Sequence, residues 1–338
     1  MQRTYTLIND TSADAHIGCN AVTKSIRQGA QLRCYSEAAT HKAGEIITGH
    51  DYDRLLSGSH LIVINGEGSM HDDSKACRNI AHFVSVAKEH GKRVALINTS
   101  YSENSRTTGD LICKADLIGF RDSNSMREFL LHHNANQVTV AGDLSLQSFE
   151  KQEFQSKKTS ILVTDSVTPS KTADLIAFAL SRKARFAPAQ DRSAAASSNN
   201  PLRILRKKHL FSVRGLFRNT RGWIDVATNT SHKSLLQIAQ KANLIITGRY
   251  HVVAYAVSFR IPFLYTPSNT GKIDWFLSDI GIDINKRKIR SLQDLMSMSD
   301  NDLLTQAIYD GDELDSIKQF LMHQKIACRD MLDAVFNS

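Results

Sequence analysis

The sequence predicts an α/β protein built from two doubly wound domains that face a shared cleft. Three observations carry that expectation. Short, nearly continuous apolar runs alternate with longer segments of helical period, the pattern of βα units around a buried parallel sheet. The alternation stops at a polar stretch, 149–159, and then restarts. With 338 residues, 41% of them hydrophobic, the chain is long enough to bury two cores.

The first half reads in order. "TYTLIND" (4–10) is a strand and "IGCNAVTKSIRQGA" (17–30) a helix. "HLIVING" (60–66) is a strand rich in β-branched residues. "KACRNIAHFVSVAKEHG" (75–91) is a helix that ends on Gly91 as its C-cap. Strand 93–100, a helix near 105–115, strand 117–122, helix 123–134 and strand 137–143 complete the first domain, 1–150. The second, 151–338, opens with strand 160–166 and helix 170–183. Strand 223–229, helix 232–242, strand 243–248, a helix from Arg249, strand 261–267 and helix 271–281 follow, with a helical tail from 291.

Composition excludes several classes. The five cysteines form no CxxC pair, so the chain reads as reduced and cytoplasmic, without a zinc cluster or a disulfide scaffold. Neither a signal peptide nor a run of roughly 20 apolar residues is visible. The GxGxxG and GxxxxGK[ST] patterns are both absent, which argues against a simple dehydrogenase or nucleoside triphosphatase. Net charge is +8, which suits anionic partners. Part of the excess is local: 201–222 carries seven Lys or Arg and no acid, interleaved with apolar residues. Such an insertion, within 190–222, fits an anionic membrane surface or an anionic acceptor equally well. It contains no recognised nucleic-acid motif, so no nucleic-acid partner is expected.

Candidate site residues fall at predicted strand ends, where ligands bind in parallel sheets. In "NLIITGRYH", Gly248 permits a turn, and Arg249, Tyr250 and His251 enter the next helix. A cation at a helix N-terminus opposes the helix dipole, and an anion placed there relieves the conflict. His251 adds a group able to move a proton. In "VINGEGSMHDD", Gly66 and Gly68 bracket Glu67 and let a ligand approach the backbone. His71, Asp72 and Asp73 follow at a spacing that matches no metal site. "NDTSADAHIGC" places Asp10, Thr11 and His16 at the cleft edge, with Gly18 opening the helix start. Arg121 in "GFRDSNS" suits a bidentate anion, unless Asp122 pairs it internally. Asn269 and Lys272 lie at the turn and helix start of "TPSNTGKIDWF", and Asp143 ends the last strand of the first domain.

Taken in order, "NDTS…HIGCNAVT", "LIVINGEGSMHDD", "VALINTSY", "GFRDSNSMREFL", "AGDLSL", "ITGRYHVVAYAV" and "PFLYTPSNTGKIDWFLSDIG" resemble the polysaccharide pyruvyl transferase family over residues 9–281. The resemblance implies two Rossmann-like domains similar to GT-B glycosyltransferases. It implies transfer of the enolpyruvyl unit of phosphoenolpyruvate to a sugar hydroxyl pair as a ketal, in capsule or exopolysaccharide assembly. The family's Arg-x-His motif maps onto Arg249 and His251, and its Gly-Glu-Gly stretch onto Gly66, Glu67 and Gly68. Where the family often carries a second histidine after that stretch, this chain has Asp72.

On this basis His251 is expected as acid or base and Glu67 as base. Arg249, Gly248, Lys272, Asn269 and Arg121 are expected on the donor side; Asp10, Thr11, His16, Gly66, Gly68 and His71 on the acceptor side. No metal and no cofactor beyond the donor substrate is expected. The acceptor is a saccharide or lipid-linked saccharide, on the inner face of the membrane if 201–222 touches it. The alternative is a glycosyltransferase using a nucleotide sugar, for example a CMP-linked one, in the same cleft.

Overall fold

Two all-parallel sheets organise the chain in the computed structural model, which describes residues 3–13, 17–148, 160–189, 235 and 238–337. The first half contains β1 (Arg3–Asp10), α1 (Ile17–Leu32), β2 (Tyr35–Lys42), α2 (Tyr52–Leu56), β3 (Leu61–Asn65), α3 (Lys75–Glu89) and β4 (Arg93–Thr99). It continues with α4 (Arg106–Ile112), β5 (Leu117–Phe120), α5 (Ser123–Leu130) and β6 (Val138–Val140). The second half contains β7 (Ile161–Ser166), α6 (Pro169–Ser181), β8 (Arg185–Phe186), β9 (Leu244–Gly248), α7 (Tyr250–Ser258), β10 (Phe263–Tyr265) and α8 (Lys272–Ile280). Four further helices end it: α9 (Ile284–Arg287), α10 (Leu292–Ser297), α11 (Asp300–Ala307) and α12 (Gly311–Phe336).

Both sheets are buried on two faces, which is why their strands read as continuous apolar runs. In the first sheet, Ile8, Ile62, Ile64, Leu96 and Ile118 pack beneath Ile80, Phe83 and Val84 of α3. The alternate residues Leu7, Leu61, Val63, Ala95 and Ile97 face Val22 and Ile26 of α1. In the second, Leu162 and Ile245 face α7 and α8, while Val163, Leu244 and Ile246 face α6, α10 and α11.

The strand order is β2-β1-β3-β4-β5-β6 in the first sheet and β10-β9-β7-β8 among the described strands of the second. Each places the first strand of its half between a neighbour on one side and the later strands on the other. The order therefore reverses between β1 and β3, and between β7 and β9. A crevice opens at such a point, outside the carboxyl ends of the strands, and ligands bind there.

The structure adds elements that the sequence pattern does not show. β2 is an edge strand, paired only with β1, and "YSEAATHK" is largely accessible, so no apolar run marks it. The tail also departs from its assignment to the second domain. The first half of α12 packs Ile317, Phe320 and Leu321 on the second core. Its last turns place Cys328, Met331, Leu332, Val335 and Phe336 in the first core, against Tyr5, Leu7 and α1. The expected linker 149–159, the basic insertion 190–222, the strand expected at 223–229 and most of the helix expected at 232–242 lie outside the described residues.

Candidate active site

The crevices of the two sheets meet in a cavity of about 390 Å³ lined by both halves, within the size range of small-molecule sites. The first half contributes Thr11, Cys19, Glu67, Gly68, Ser69 and Arg121; the second contributes Arg249, Tyr250, His251 and Lys272.

Glu67 is held from several sides. Its backbone N–H donates to Asn65 Oδ1 at 3.1 Å, and Thr11 Oγ1 donates to its Oε2 at 3.2 Å. Asn9, at φ 60° on the end of β1, donates to the Asn65 carbonyl at 2.6 Å and to Ser69 Oγ at 3.1 Å. A short polar side chain tolerates that left-handed backbone, and in doing so it ties the ends of β1 and β3 together. Cys19 Sγ donates to Glu67 Oε1 at 3.4 Å.

His251 arrives from the other half. Its Nε2 stands 3.1 Å from Glu67 Oε1 and 3.5 Å from Asp143 Oδ2. The ring lies flat on Gly18: a Cβ there would sit 2.0 Å from His251 Cγ. Gly18 thus makes room for the imidazole, and not for a substrate at the helix start. Asp143 is fully buried, accepts from Ser145 N–H at 2.7 Å and pairs with Arg121 Nη1 at 3.4 Å. Burial alone pushes its carboxyl up, but His251 and Arg121 outweigh that and hold it well below the usual carboxylate range.

Arg249 is the N-cap of α7, with an extended backbone. The conflict between its charge and the helix dipole is relieved from within the protein. Its Nε donates to Asp165 Oδ2 at 3.1 Å, and its Nη2 contacts the same oxygen. Both partners are buried. Asp165, at the end of β7, also accepts Ala189 N–H at 2.7 Å. Arg249 therefore lines the cavity with its orientation fixed and its charge partly balanced.

Arg121 donates to Ser100 Oγ and stacks 4.2 Å from the centre of the Tyr250 ring. That contact joins the halves, as does Asp279 of α8, which accepts Ser123 N–H at 2.8 Å on α5. Asp122 lies near enough for its charge to act on Arg121, but the ion pair of Arg121 is with Asp143. Asp122 caps α5 by accepting Ser125 N–H at 2.7 Å. Lys272 begins α8, and its ammonium makes no hydrogen bond or ion pair to another described residue. Burial, with Arg121 and Arg249 nearby, lowers its ammonium to about 8, although Glu67 pulls the other way.

Seven of the residues singled out in sequence meet at the cavity: Thr11, Glu67, Gly68, Arg121, Arg249, His251 and Lys272. Five do not line it. Asp10 is paired with Arg27 at 2.9 Å, and His71 with Asp72 at 2.7 Å. Gly66 is pressed against Thr99, where a Cβ would sit 2.1 Å from Oγ1, and Gly248 against Ser166, at 2.4 Å. These two glycines serve strand packing and not ligand approach. Asn269 is exposed and accepts from Ser268 Oγ. His16 lies outside the described residues. Sequence reasoning missed Cys19, Tyr250 and Asp165 as members of the site. Asp165 alone carried a signal, as a carboxylate at a strand's C-terminal end.

Comparison with known proteins shows the family and the fold. The chain matches no curated protein. Solved structures resemble it at fold level. The S. aureus MnaA–UDP structure is 12% identical, with TM-score 0.57 and 96% of each chain covered. The UDP-GlcNAc 2-epimerase of Methanocaldococcus jannaschii in complex with UDP-GlcNAc and UDP is 12% identical, with TM-score 0.54, covering 94% of this chain and 99% of that one. The Neisseria meningitidis UDP-GlcNAc 2-epimerase bound to UDP-GlcNAc is 9% identical, with TM-score 0.54, covering 95% and 98%. These are GT-B-like, two-domain Rossmann-like folds. The family model "Polysaccharide pyruvyl transferase" matches residues 24–269, a span that holds Glu67, Arg121, Arg249 and His251, and this chain belongs to that family.

Proposed function

We propose that the protein transfers the pyruvyl unit of phosphoenolpyruvate to a pair of hydroxyls on a saccharide, forming a ketal and releasing phosphate. The observation that carries this reading is the His251–Glu67 contact across the cleft, 3.1 Å from Nε2 to Oε1, with Lys272, Arg249 and Arg121 lining the same cavity. The cations suit a donor bearing a phosphate and a carboxylate. The acid and base suit the proton movements that the chemistry needs.

The first sugar hydroxyl adds to C2 of the donor while the vinyl carbon C3 gains a proton and becomes methyl. His251 supplies that proton, and Glu67 takes the one the hydroxyl loses. The second hydroxyl then displaces phosphate from C2, closing the ketal, and its proton leaves with the phosphate. Lys272, the cation in the cavity with no described hydrogen-bond or ion-pair partner, meets the donor's anionic group. Arg249 and Arg121, each already bound to a carboxylate, shape the site and contribute field. Thr11 and Gly68 lie beside Glu67, on the acceptor side. No described helix is long and apolar enough to cross a membrane. For a lipid-linked acceptor, 201–222 is the segment proposed to make peripheral contact with the membrane.

A nucleotide sugar is the second reading, favoured by the UDP and UDP-GlcNAc named with the structural neighbours. A thermal-shift series with phosphoenolpyruvate, uridine and cytidine nucleotides and their sugars separates the two. A ligand at about 100 times its Kd adds roughly 2.7 kcal/mol. Stabilisation by phosphoenolpyruvate, lost in Lys272→Met, is expected. Stabilisation by a nucleotide or its sugar alone would transfer the protein to the second reading. Lys272→Met is the better control, because Arg249→Ala strips a buried carboxylate of its partner.

A further inference from the structure

Cys19, Glu67 and His251 converge on one point of the cavity wall, and we infer that they form a three-ligand site for a thiophilic divalent cation such as zinc. The inference goes beyond the transfer reaction and does not rest on it.

The three side chains offer one donor atom each, and all three atoms lie within 4.8 Å of one another. Two of the edges are 3.1 Å, from Nε2 to Oε1, and 3.4 Å, from Sγ to Oε1. Zinc bonds of about 2.0 Å to nitrogen and oxygen and 2.3 Å to sulfur give tetrahedral edges of about 3.3 and 3.5 Å. The two edges that meet at Oε1 therefore already match the separations that one ion would impose, and the third, Sγ to Nε2, lies within 4.8 Å. The donor types are those of a mixed catalytic-type zinc site, with three protein ligands and a fourth position left for the cavity.

Two of the groups around these atoms keep other partners when an ion binds. Glu67 keeps the hydrogen bond from Thr11 on its other oxygen, 3.2 Å away, so Oε1 is available and its carboxylate plane is set. Asp143 keeps Arg121 and the Ser145 N–H when the nitrogen of His251 is withdrawn from it. Supporting bonds of this kind orient metal ligands. On binding, the Cys19 thiol loses its proton to solvent, and thiolate plus carboxylate balance the double charge with the imidazole neutral. The ion then occupies the nitrogen and oxygen proposed to move protons, so metal binding and proton transfer exclude one another.

The test uses the reduced full-length protein without donor or acceptor, so its outcome is separate from that of the transfer reading. Titration with cobalt(II) should give one equivalent bound and a near-ultraviolet sulfur-to-cobalt charge-transfer band. Cys19→Ser should abolish the band and weaken zinc binding at least tenfold, while Glu67→Gln should weaken binding and keep the band. Cys34→Ser, a change at an exposed thiol remote from the site, should leave both unchanged. On the unsubstituted protein, one equivalent of zinc should slow iodoacetamide alkylation of Cys19, followed peptide by peptide, and leave Cys34 at its own rate. Absence of the band, its survival in Cys19→Ser, its loss in Cys34→Ser, or an unchanged alkylation rate at Cys19 would each overturn the site.

Discussion

Replacing Lys272 by methionine should make the protein more stable at neutral pH while removing its response to an anionic donor. The folded state lowers this ammonium from 10.5 to about 8. At about 1.4 kcal/mol per pH unit, that fall corresponds to a penalty of roughly 3 kcal/mol for keeping the charge. The side chain retains some solvent access, so about 1–3 kcal/mol is the expected gain in Lys272→Met. The sign follows from proton counting. Between pH 8 and 10.5 the unfolded chain binds the proton and the folded protein does not, so wild-type stability rises with pH across that window. Below about 8 the penalty is present in full. Paired urea melts at pH 7 and pH 10 measure this: the variant leads at pH 7, and its lead shrinks by pH 10. Equal or lower stability of Lys272→Met at pH 7, with a gap that does not change with pH, would refute the reasoning. The same variant should bind phosphoenolpyruvate at least tenfold more weakly, by titration calorimetry at pH 7.

Three further changes test other parts of the site. Gly18→Ala places a Cβ 2.0 Å from the His251 ring; the ring must swing, so transfer activity should fall far more than stability, which should drop about 1–3 kcal/mol in a denaturant melt. Asp165→Ala leaves the buried Arg249 guanidinium without its carboxylate and should cost about 3–5 kcal/mol, whereas a loss under 1 kcal/mol would show that the pair is dispensable. Asp279→Ala removes the acceptor for Ser123 across the domain interface and should cost about 1–3 kcal/mol; limited proteolysis should then cut faster between the halves.

The βα alternation was legible because each strand buried on both faces is apolar throughout, as "LIVIN" and "LIITG" are. β2 was not, because an edge strand is free to be polar. The ligand-facing ends of β3 and β9 were legible from where Glu67 and Arg249 fall in the pattern. Their partners were not. Asp165 lies 84 residues before Arg249, and only the parallel pairing of β7 with β9 makes them neighbours. The glycines divide the same way. Gly68, at φ 65° with open space around it, does what a glycine beside a ligand is expected to do. Gly18, Gly66 and Gly248 are glycines because of side chains distant in sequence. Cys19 carries no local signal, since one thiol on a helix looks like any small buried residue.

The path of α12 bears on the order in which the chain can fold as it is made. Its 26 residues span about 39 Å, long enough to reach from one core to the other. The last of them complete a layer over the first sheet that begins at Arg3. Synthesis runs from the amino end, and domains usually fold as they emerge. Here the first half emerges with one face of its sheet still lacking Met331, Leu332, Val335 and Phe336. It stays incomplete until the last turns of α12 leave the ribosome. A stop between 311 and 331 removes all four and therefore damages the half that was made earlier.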